Sequence, residues 1–327
     1  MIELDALTKR YGDTVAVDGL SFAVKPGQVT GFLGPNGAGK STTMRMIVGL
    51  DRPTNGSATV NGRPYAEHRA PLCELGVLLD ASAVHKGRSG YAHLLALART
   101  HGFPARRVDE VLELVGLRDV AQRRAGKYSL GMSQRLGIAA ALLGDPSVVL
   151  LDEPINGLDP DGVLWVRTLL RELAAEGRTV LVSSHLMSEM AVTADHLLII
   201  GRGRLLADTG VDELIARVEV GTVLVRSPEA AHLRDALVRN GASVTADDPP
   251  PPGRGPRSAP GGEPRPASGG EPRPASGGEL LRVTGLAAEE IGRVAADERL
   301  VLSELTPRRA SLEEAYMELT REAVEYR

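Results

Sequence analysis

The chain has 327 residues, a hydrophobic fraction of 43%, a formal net charge of −4 and a single cysteine, Cys73. This length accommodates about two domains, and the near-neutral charge argues against a surface built to bind nucleic acid. One cysteine excludes an internal disulfide and a cysteine-based zinc site. No apolar run approaches the ~18 residues needed to cross a bilayer, so a membrane span in any complex would belong to another chain.

Apolar alternation and turn residues predict short strands at the N-terminus, followed by a helix that begins after a glycine-rich loop. The segment 91–143 is mostly helical by pattern, and Leu136, Ala139, Ala140 and Leu143 share one face of its last predicted helix. From Val148 onward, β-rich runs alternate with helices, which indicates βαβ units and a mainly parallel sheet. The predicted elements are strands 2–7, 14–17, 20–24, 29–33, 75–79, 148–151, 180–183 and 197–200, and helices 40–50, 162–176 and 186–193.

The rest of the chain predicts a second, smaller unit. Its first half contains strand 222–226, helix 229–240 and strand 242–245, and its second half contains strand 280–284, helix 288–297 and strand 300–305. This β-α-β-β-α-β order predicts a small α+β domain with a ferredoxin-like fold. A last helix, 311–320, begins with Ser311 and Glu314 in the spacing of a capping box.

A segment rich in proline and glycine separates the two halves of this unit. Residues 249–252 are all proline, and Gly-Gly-Glu-Pro-Arg-Pro-Ala-Ser occurs twice in tandem at 261–268 and 269–276. Such a composition cannot bury enough apolar surface to fold, so we predict a disordered insertion at 248–279. Two interpretations stay open: a neutral insertion in a surface turn, which the lack of an apolar pattern favours, and a proline-rich docking ligand.

A phosphate-binding pattern follows the predicted strand 29–33. Gly34-Pro-Asn-Gly-Ala-Gly-Lys40-Ser41 fits GxxxxGK[ST] between an apolar strand and a helix. The glycines let backbone N–H groups approach phosphates, and the helix N-terminus adds the positive end of a dipole. Lys40 is predicted to place a full charge at the β- and γ-phosphates, and the Ser41 hydroxyl is predicted to bind Mg²⁺.

Two carboxylates follow a second apolar strand. Asp152 ends the run Val148-Val-Leu-Leu-Asp152, and Glu153 comes directly after it. At the carboxyl edge of a parallel sheet, Asp152 would lie beside the glycine-rich loop and hold Mg²⁺. Glu153 is predicted to polarise the attacking water as general base. The alternative, a chance pair of surface acids, is disfavoured because Lys40 and Ser41 already require a partner for Mg²⁺.

Five motifs occur in one fixed order along the chain. They are Gly34-Pro-Asn-Gly-Ala-Gly-Lys40-Ser41, Tyr128-Ser-Leu-Gly-Met132, Val148-Val-Leu-Leu-Asp152-Glu153, Gly157-Leu-Asp159-Pro160 and Ser183-Ser-His185. In this order and spacing they resemble the nucleotide-binding subunit of an ATP-binding-cassette (ABC) transporter, over roughly residues 1–215. The segment 305–320 is similar to the C-terminal tail of daunorubicin-resistance-like subunits of the ABC-2 type.

The resemblance implies the fold of a P-loop NTPase of the ABC ATPase type, in α/β class. A RecA-like core with antiparallel β and helical subdomains would occupy 1–215. The small α+β, ferredoxin-like accessory domain would occupy 216–327, interrupted by the insertion at 248–279.

The resemblance also implies roles for individual residues. His185 would contact the γ-phosphate, Tyr11 would stack on adenine, and Asp159 would lie in a loop that couples two sites across a dimer. In the family, the segment that contains Ser129 and Gly131 faces the ATP bound by the other subunit. The implied nucleotide-binding set is Tyr11, Gly34, Pro35, Asn36, Gly37, Ala38, Gly39, Lys40, Ser41, Thr42, Ser129, Gly131 and Asp159, with Glu153 and His185 catalytic and Ser41, Asp80 and Asp152 at the metal.

The chain departs from the family pattern at two places. Leu130 replaces the first glycine of the usual LSGGQ signature, and Met132 replaces its glutamine. Asp80 stands after strand 75–79, where the family has a glutamine that touches Mg²⁺ and senses the transporter. A carboxylate can bind Mg²⁺, but it cannot donate a hydrogen bond as an amide does.

The function implied by the resemblance is ATP hydrolysis, with ATP and Mg²⁺, that powers export of a drug, antibiotic or other amphipathic cargo. The expected partners are a second copy of the chain, in a head-to-tail dimer that sandwiches two ATP molecules, and a separate ABC-2 type permease at the cytoplasmic face of the cell membrane. No nucleic-acid partner is expected. The alternative is a soluble regulatory or DNA-maintenance ATPase with the same core, although the 87 residues between Ser41 and Ser129 show no sustained heptads.

Overall fold

The computed structural model of the chain describes residues 1–81, 83–218, 222–246, 278–308 and 311–324. The chain divides into two compact units, one formed by Met1–Leu214 with Leu312–Arg327 and the other by Ile215–Ser311. The insertion predicted at 248–279 lies outside the described residues, apart from its last two positions.

Strands and helices are labelled in chain order over the described residues. The strands are β1 (Ile2–Tyr11), β2 (Thr14–Val24), β3 (Val29–Leu33), β4 (Asn55–Val60), β5 (Leu75–Leu78), β6 (Val148–Leu151), β7 (Thr179–Ser184), β8 (His196–Gly201), β9 (Arg204–Gly210), β10 (Val223–Ser227), β11 (Ser243–Ala246), β12 (Glu279–Thr284) and β13 (Glu304–Pro307). The helices are α1 (Lys40–Ile47), α2 (Pro71–Glu74), α3 (Gly90–Thr100), α4 (Ala105–Leu114), α5 (Leu130–Ala141), α6 (Pro160–Ala175), α7 (Met187–Thr193), α8 (Val211–Val218), α9 (Ala230–Arg239), α10 (Ala288–Asp297) and α11 (Leu312–Val324).

The largest sheet of the first unit has the strand order β5-β6-β7-β3-β8-β9. Its strands run parallel except β9, which pairs antiparallel with β8. Every residue of β3, β6 and β7 is buried, as expected for parallel strands that are covered on both faces. The predicted mainly parallel sheet is confirmed, and the carboxyl ends of β3, β5, β6 and β7 meet at one edge.

A smaller antiparallel sheet, with the order β2-β1-β4, belongs to the same unit. Side chains of both sheets and of α1 form one buried cluster, which includes Ile2, Leu20, Phe32, Met44 and Ile47. The predicted strands 14–17 and 20–24 are one continuous strand, β2, and β1 extends beyond the predicted end at residue 7. The extension follows from the tight hairpin between β1 and β2, which keeps the two strands paired to their ends.

The segment predicted as mostly helical contains α3, α4 and α5. The Ser89 hydroxyl caps α3 by accepting a hydrogen bond from the Ala92 N–H at 3.1 Å. α4 packs against both α3 and α5. Helix α5 buries Leu136 and Ala139 of the predicted apolar face, and it also buries Gly137, Ile138 and Ala141, so the helix is enclosed on more than one face.

The second unit contains an antiparallel sheet with the order β11-β12-β10-β13. Helices α9 and α10 pack against it, and the predicted ferredoxin-like order of elements is confirmed over the described residues. The predicted last strand, 300–305, is wrong in its bounds because α10 ends at Asp297 and the chain turns through Arg299 at φ +57°. Leu300 and Leu302 still pack against the core of the unit, so the apolar pattern there marks packing rather than a strand.

The last helix differs from its predicted place in the accessory domain. α11 packs against α7 and belongs to the first unit. Leu312 and Ala315, three residues apart on one helical face, are both buried. The apolar face of α11 is therefore buried against α7. In the second unit, α9 and α10 already cover the sheet. Over the described residues, no helix is both long enough and apolar enough to span a bilayer.

Candidate active site

The glycine-rich loop joins β3 to α1 at the carboxyl edge of the parallel sheet. The predicted set from Gly34 to Thr42 spans this loop and the first turn of α1. Gly39 has φ +105°, and a Cβ there would lie 2.6 Å from the Ala16 carbonyl oxygen. The loop therefore requires glycine at the point where it enters the helix. The N–H groups of the first helical turn form an end suited to anions.

Lys40, the first residue of α1, is only 7% exposed. Its ammonium group donates hydrogen bonds to the carbonyl oxygens of Gly34, at 2.6 Å, and Pro35, at 3.3 Å. Burial lowers the pKa of the Lys40 ammonium, and the carboxylates of Glu153 and Asp152 oppose that shift. The fold thus places one cation within the loop, beside the two acidic residues that the sequence singled out.

Of the three oxygen donors predicted for a metal, Asp80 and Asp152 follow the adjacent strands β5 and β6, and Ser41 lies in the first turn of α1. The Ser41 hydroxyl donates a hydrogen bond to Asp152 Oδ2 at 2.9 Å. The Asp152 N–H donates to the Leu78 carbonyl at 2.7 Å, which ties the end of β6 to β5. Asp80 is exposed and lies just beyond β5. The structure therefore brings Ser41 and Asp152 into direct contact and leaves Asp80 at the neighbouring strand end.

The two residues predicted to be catalytic are also in contact. His185 Nδ1 lies 2.8 Å from Glu153 Oε2. Glu153 has φ +50°, in the left-handed region, which costs a residue with a Cβ on the order of 1–3 kcal/mol. This conformation turns the chain sharply after β6, so that Asp152 reaches Ser41 while Glu153 reaches His185. Two consecutive carboxylates thereby serve different neighbours.

Two residues that the sequence analysis did not single out hold the backbone of Glu153. The buried Ser183 hydroxyl accepts a hydrogen bond from the Glu153 N–H at 2.9 Å and donates one to Asp152 Oδ1. The Gln134 side-chain amide donates to the Glu153 carbonyl at 3.4 Å. Ser183 stands in the Ser183-Ser-His185 motif, but nothing in the sequence says that its hydroxyl faces β6 rather than solvent.

Ser129 and Asp159 begin the two helices that follow the signature motif and the acidic pair. The Ser129 hydroxyl caps α5 by accepting from the Met132 N–H at 3.2 Å. The Asp159 carboxylate caps α6 by accepting from the Gly162 N–H at 2.9 Å. Each residue has the short polar side chain that a helix N-terminus favours. The two caps form a second group of predicted site residues, apart from the loop and the acidic pair.

Near the starts of α5 and α6, a leucine from each segment packs over a glycine of the other. The Leu130 side chain lies where a Cβ on Gly157 would stand, and the Leu158 side chain lies within 3.4 Å of the position of a Cβ on Gly131. Leu130, which replaces the first glycine of the signature, therefore fits because Gly157 of the Gly157-Leu-Asp159-Pro160 motif has no side chain. We call these four residues the Leu–Gly interlock.

A second contact between α5 and α6 lies further along both helices. The Arg135 guanidinium carbon is 4.0 Å from the centroid of the Trp165 ring, which is a cation–π contact. Arg135 also donates to the Val115 carbonyl at 2.9 Å, beyond the end of α4. Trp165 of α6 therefore packs against a charged residue of α5.

Tyr11, the last residue of β1, is 50% exposed. Its hydroxyl donates to Asp51 Oδ2 at 3.0 Å, and Arg45 of α1 donates to the same oxygen at 2.8 Å. The Lys9 ammonium lies 4.9 Å from the ring centroid. Asp51 thus links the exposed Tyr11 ring to Arg45 of α1, the helix that begins at the glycine-rich loop.

The class of protein follows from this fold and site: an ATPase of the ATP-binding-cassette type. The chain belongs to the ABC transporter family. The family model described as ABC transporter matches residues 17–156, which include the glycine-rich loop, the signature motif and the acidic pair. A second family model, described only as a domain of unknown function, matches residues 266–313.

Several curated relatives are named as ATP-binding proteins of transport or export systems. YhcH of Bacillus subtilis (strain 168), an uncharacterized ABC transporter ATP-binding protein, is 42% identical over 65% of this chain and 72% of its own length. The bacitracin transport ATP-binding protein BcrA of Bacillus licheniformis is 41% identical over 66% of this chain and 72% of its own. The Nod factor export ATP-binding protein I of Burkholderia pseudomallei (strain 1710b) is 37% identical over 72% and 80%.

Solved structures with the same fold are also ABC subunits. One, described as an ATP binding subunit of an ABC transporter, superposes with a TM-score of 0.61 at 26% identity, covering 67% of this chain and 93% of that one. CbiO1 of Clostridium perfringens, part of the ABC transporter complex cbiONQ, gives a TM-score of 0.59 at 27% identity, covering 73% and 94%. The predicted ABC ATPase fold and ATP hydrolysis as the activity are confirmed.

Proposed function

We propose that the chain powers export of a drug, antibiotic or other amphipathic cargo through a separate membrane permease of the ABC-2 type. Relatives named for bacitracin transport and for Nod factor export support the export role. The tail-like segment 305–320 supports the ABC-2 assignment. The chain would then work at the cytoplasmic face of the cell membrane, bound there through the permease.

ATP would bind along the loop between β3 and α1. Backbone N–H groups from Gly34 to Thr42 would surround the phosphates, and Lys40 would neutralise charge on the β- and γ-phosphates. Since the Lys40 ammonium already bonds two carbonyls of this loop, at 2.6 and 3.3 Å, it is pre-positioned inside the phosphate-binding turn. Tyr11 would stack on adenine, and its tether to Asp51 would keep the ring in place.

The residues present fit a Mg²⁺ ion. The Ser41 hydroxyl and the Asp152 carboxylate are 2.9 Å apart, and both are oxygen donors of the kind that Mg²⁺ prefers. Asp80, at the neighbouring strand end, would add a third oxygen donor. When bound, Mg²⁺ would neutralise the charge that develops on the phosphates.

The single observation that carries the catalytic assignment is the contact between Glu153 and His185, 2.8 Å apart, next to the Ser41–Asp152 pair. Glu153 would accept the proton of the attacking water as general base. His185 would orient the Glu153 carboxylate and contact the γ-phosphate. The sharp turn at Glu153 directs the two consecutive carboxylates to different neighbours, Asp152 to Ser41 and Glu153 to His185, so that each would have a separate role.

We further propose a head-to-tail dimer of two copies that sandwiches two ATP molecules. Ser129, Gly131 and Asp159 would face the nucleotide held by the partner copy. The N-terminus of α5, which the neutral Ser129 hydroxyl caps and whose first turn has no acidic residue, supports the assignment of Ser129 and Gly131, because such an end attracts phosphate charge. The Leu–Gly interlock would hold the starts of α5 and α6 in one fixed relation.

The test is Glu153→Gln in the purified full chain. The amide keeps the size of the side chain but cannot accept the proton, so ATP hydrolysis should fall by about 10²–10⁴-fold while ATP binding persists. The variant should also accumulate an ATP-bound dimer, measured by size-exclusion chromatography with light scattering. Wild-type turnover in this variant would refute the general-base assignment, and a monomer with bound ATP would refute the dimer.

A further inference from the structure

Ser183 is a fully buried polar residue at the end of β7, and its hydroxyl links the two acidic residues of the site. It donates a hydrogen bond to Asp152 Oδ1 and accepts one from the Glu153 N–H at 2.9 Å. The hydroxyl therefore uses its single proton and a lone pair on two consecutive residues of another strand.

The first bond fixes the orientation of the Asp152 carboxyl group. The terminal torsion of aspartate is broad, so an unrestrained carboxylate samples many rotations. With Oδ1 held by Ser183, Oδ2 is directed at the Ser41 hydroxyl, 2.9 Å away. Ser183 thereby fixes the rotation of the Asp152 carboxylate, so that the oxygen it does not hold faces Ser41.

The second bond supports the strained backbone of Glu153. A residue with a Cβ keeps φ near +50° only where its surroundings over-determine that conformation. Here the N–H is held by Ser183 at 2.9 Å and the carbonyl by Gln134 at 3.4 Å. With both backbone groups held, the Glu153 side chain is directed toward His185.

We propose that Ser183 is a positioning residue for ATP hydrolysis: one buried hydroxyl sets the orientation of the metal-side carboxylate and of the general base together. The inference rests on the proposed roles of Asp152 and Glu153. Ser183 acts through these two residues, because its hydroxyl bonds to them from within the fold. Its loss should therefore affect turnover and Mg²⁺ binding more than nucleotide binding.

The test compares Ser183→Ala with Ser183→Thr, which keeps the hydroxyl on a β-branched side chain that suits a strand. Ser184→Ala is the matched control. Ser184 is the next residue of β7 and only 3% exposed, but its hydroxyl accepts from the Leu186 N–H at 2.9 Å instead. All variants are measured as the purified full chain for kcat, KM, melting temperature and ADP binding by calorimetry over a Mg²⁺ titration.

We expect Ser183→Ala to lower kcat by about 10–100-fold, as loss of an outer partner of a metal ligand does. The Mg²⁺ concentration that half-maximally supports ADP binding should rise by a similar factor. KM for ATP should change by no more than about twofold, because the contacts that bind the nucleotide itself are intact. Ser183→Thr and Ser184→Ala should stay near the wild type in every measurement.

The inference is overturned if Ser183→Ala matches Ser184→Ala in both turnover and Mg²⁺ dependence. It is also overturned if Ser183→Ala loses melting temperature and nucleotide binding together while Ser183→Thr gives no rescue, since that pattern marks a purely structural role. The Mg²⁺ titration with ADP needs no turnover, so it reports on the Asp152 carboxylate separately from hydrolysis. Wild-type activity in Glu153→Gln would instead refute the proposed function.

Discussion

Gly157→Ala is expected to destabilise the first unit in two ways, through its left-handed backbone and through overlap with Leu130. Gly157 has φ +73°, and placing an L side chain in the left-handed region costs about 1–2 kcal/mol. The new Cβ would also overlap the Leu130 side chain, and such overpacking costs about 1–3 kcal/mol. Leu130 is 57% exposed and can rotate partly away, so the lower end of that range applies. The free energy of unfolding should fall by about 2–3 kcal/mol.

In the double variant Leu130→Ala/Gly157→Ala, the new Cβ no longer overlaps the Leu130 side chain. Only the cost of the left-handed backbone at position 157 remains. The double variant should therefore lose only about 1–2 kcal/mol, less than the sum of the single variants, because residues in contact do not add. Leu130→Ala alone should stay within about 0.5 kcal/mol of the wild type, as exposed positions do. The assay is urea unfolding followed by the fluorescence of Trp165, the single tryptophan of the chain, which lies in α6.

A matched control lies just beyond the other end of α6. Gly177 has φ +86°, but a Cβ there would meet nothing within 4 Å. Gly177→Ala should therefore lower the free energy of unfolding by about 1–2 kcal/mol in both the wild-type and the Leu130→Ala background. If Gly157→Ala were equally costly in the presence and absence of the Leu130 side chain, the Leu–Gly interlock would be wrong.

Two further predictions concern the loop and the insertion. Lys40→Ala should weaken ATP binding by about 1.5–3 kcal/mol, because it removes a charge-assisted contact to the phosphates; an unchanged dissociation constant in calorimetry with ATP and Mg²⁺ would contradict this assignment. Deletion of residues 249–277, ending before β12 begins at Glu279, should leave ATP turnover and melting temperature nearly unchanged, because closure entropy varies slowly with loop length. If cells with the deletion variant lost resistance to the exported compound while ATP turnover stayed intact, the result would favour the interpretation of the insertion as a proline-rich docking ligand.

The helical face of α5 shows what the sequence could predict. Its apolar residues recur at helical spacing, and the structure buries Leu136 and Ala139 on that face. The glycine-rich loop was predictable for a similar reason, since an apolar strand, a glycine pattern and a helix follow one another without interruption. Such features are local in the chain, so composition and spacing carry them.

The second unit shows the limit of that reasoning. Leu300 and Leu302 are apolar at strand-like spacing, yet they pack against the core from a turn, and the strand begins at Glu304. The last helix was predicted correctly as a helix, but it packs against α7 and belongs with α7 to the first unit, not to the accessory domain. An apolar face predicts that a helix is buried against something, and only the assembled fold selects the partner.

The sequence by itself determined the class of the protein, because five motifs in order carry the glycine loop, the acidic pair and the histidine. The tertiary structure alone decided how they work together. Ser183 is 30 residues from Glu153 along the chain, and its hydroxyl acquires a role only because β7 pairs with β6. Leu130 departs from the signature pattern, and its tolerance depends on the missing side chain of Gly157. Hydrogen bonds and steric fit between distant segments leave no pattern in the chain, so they exist only once it has folded.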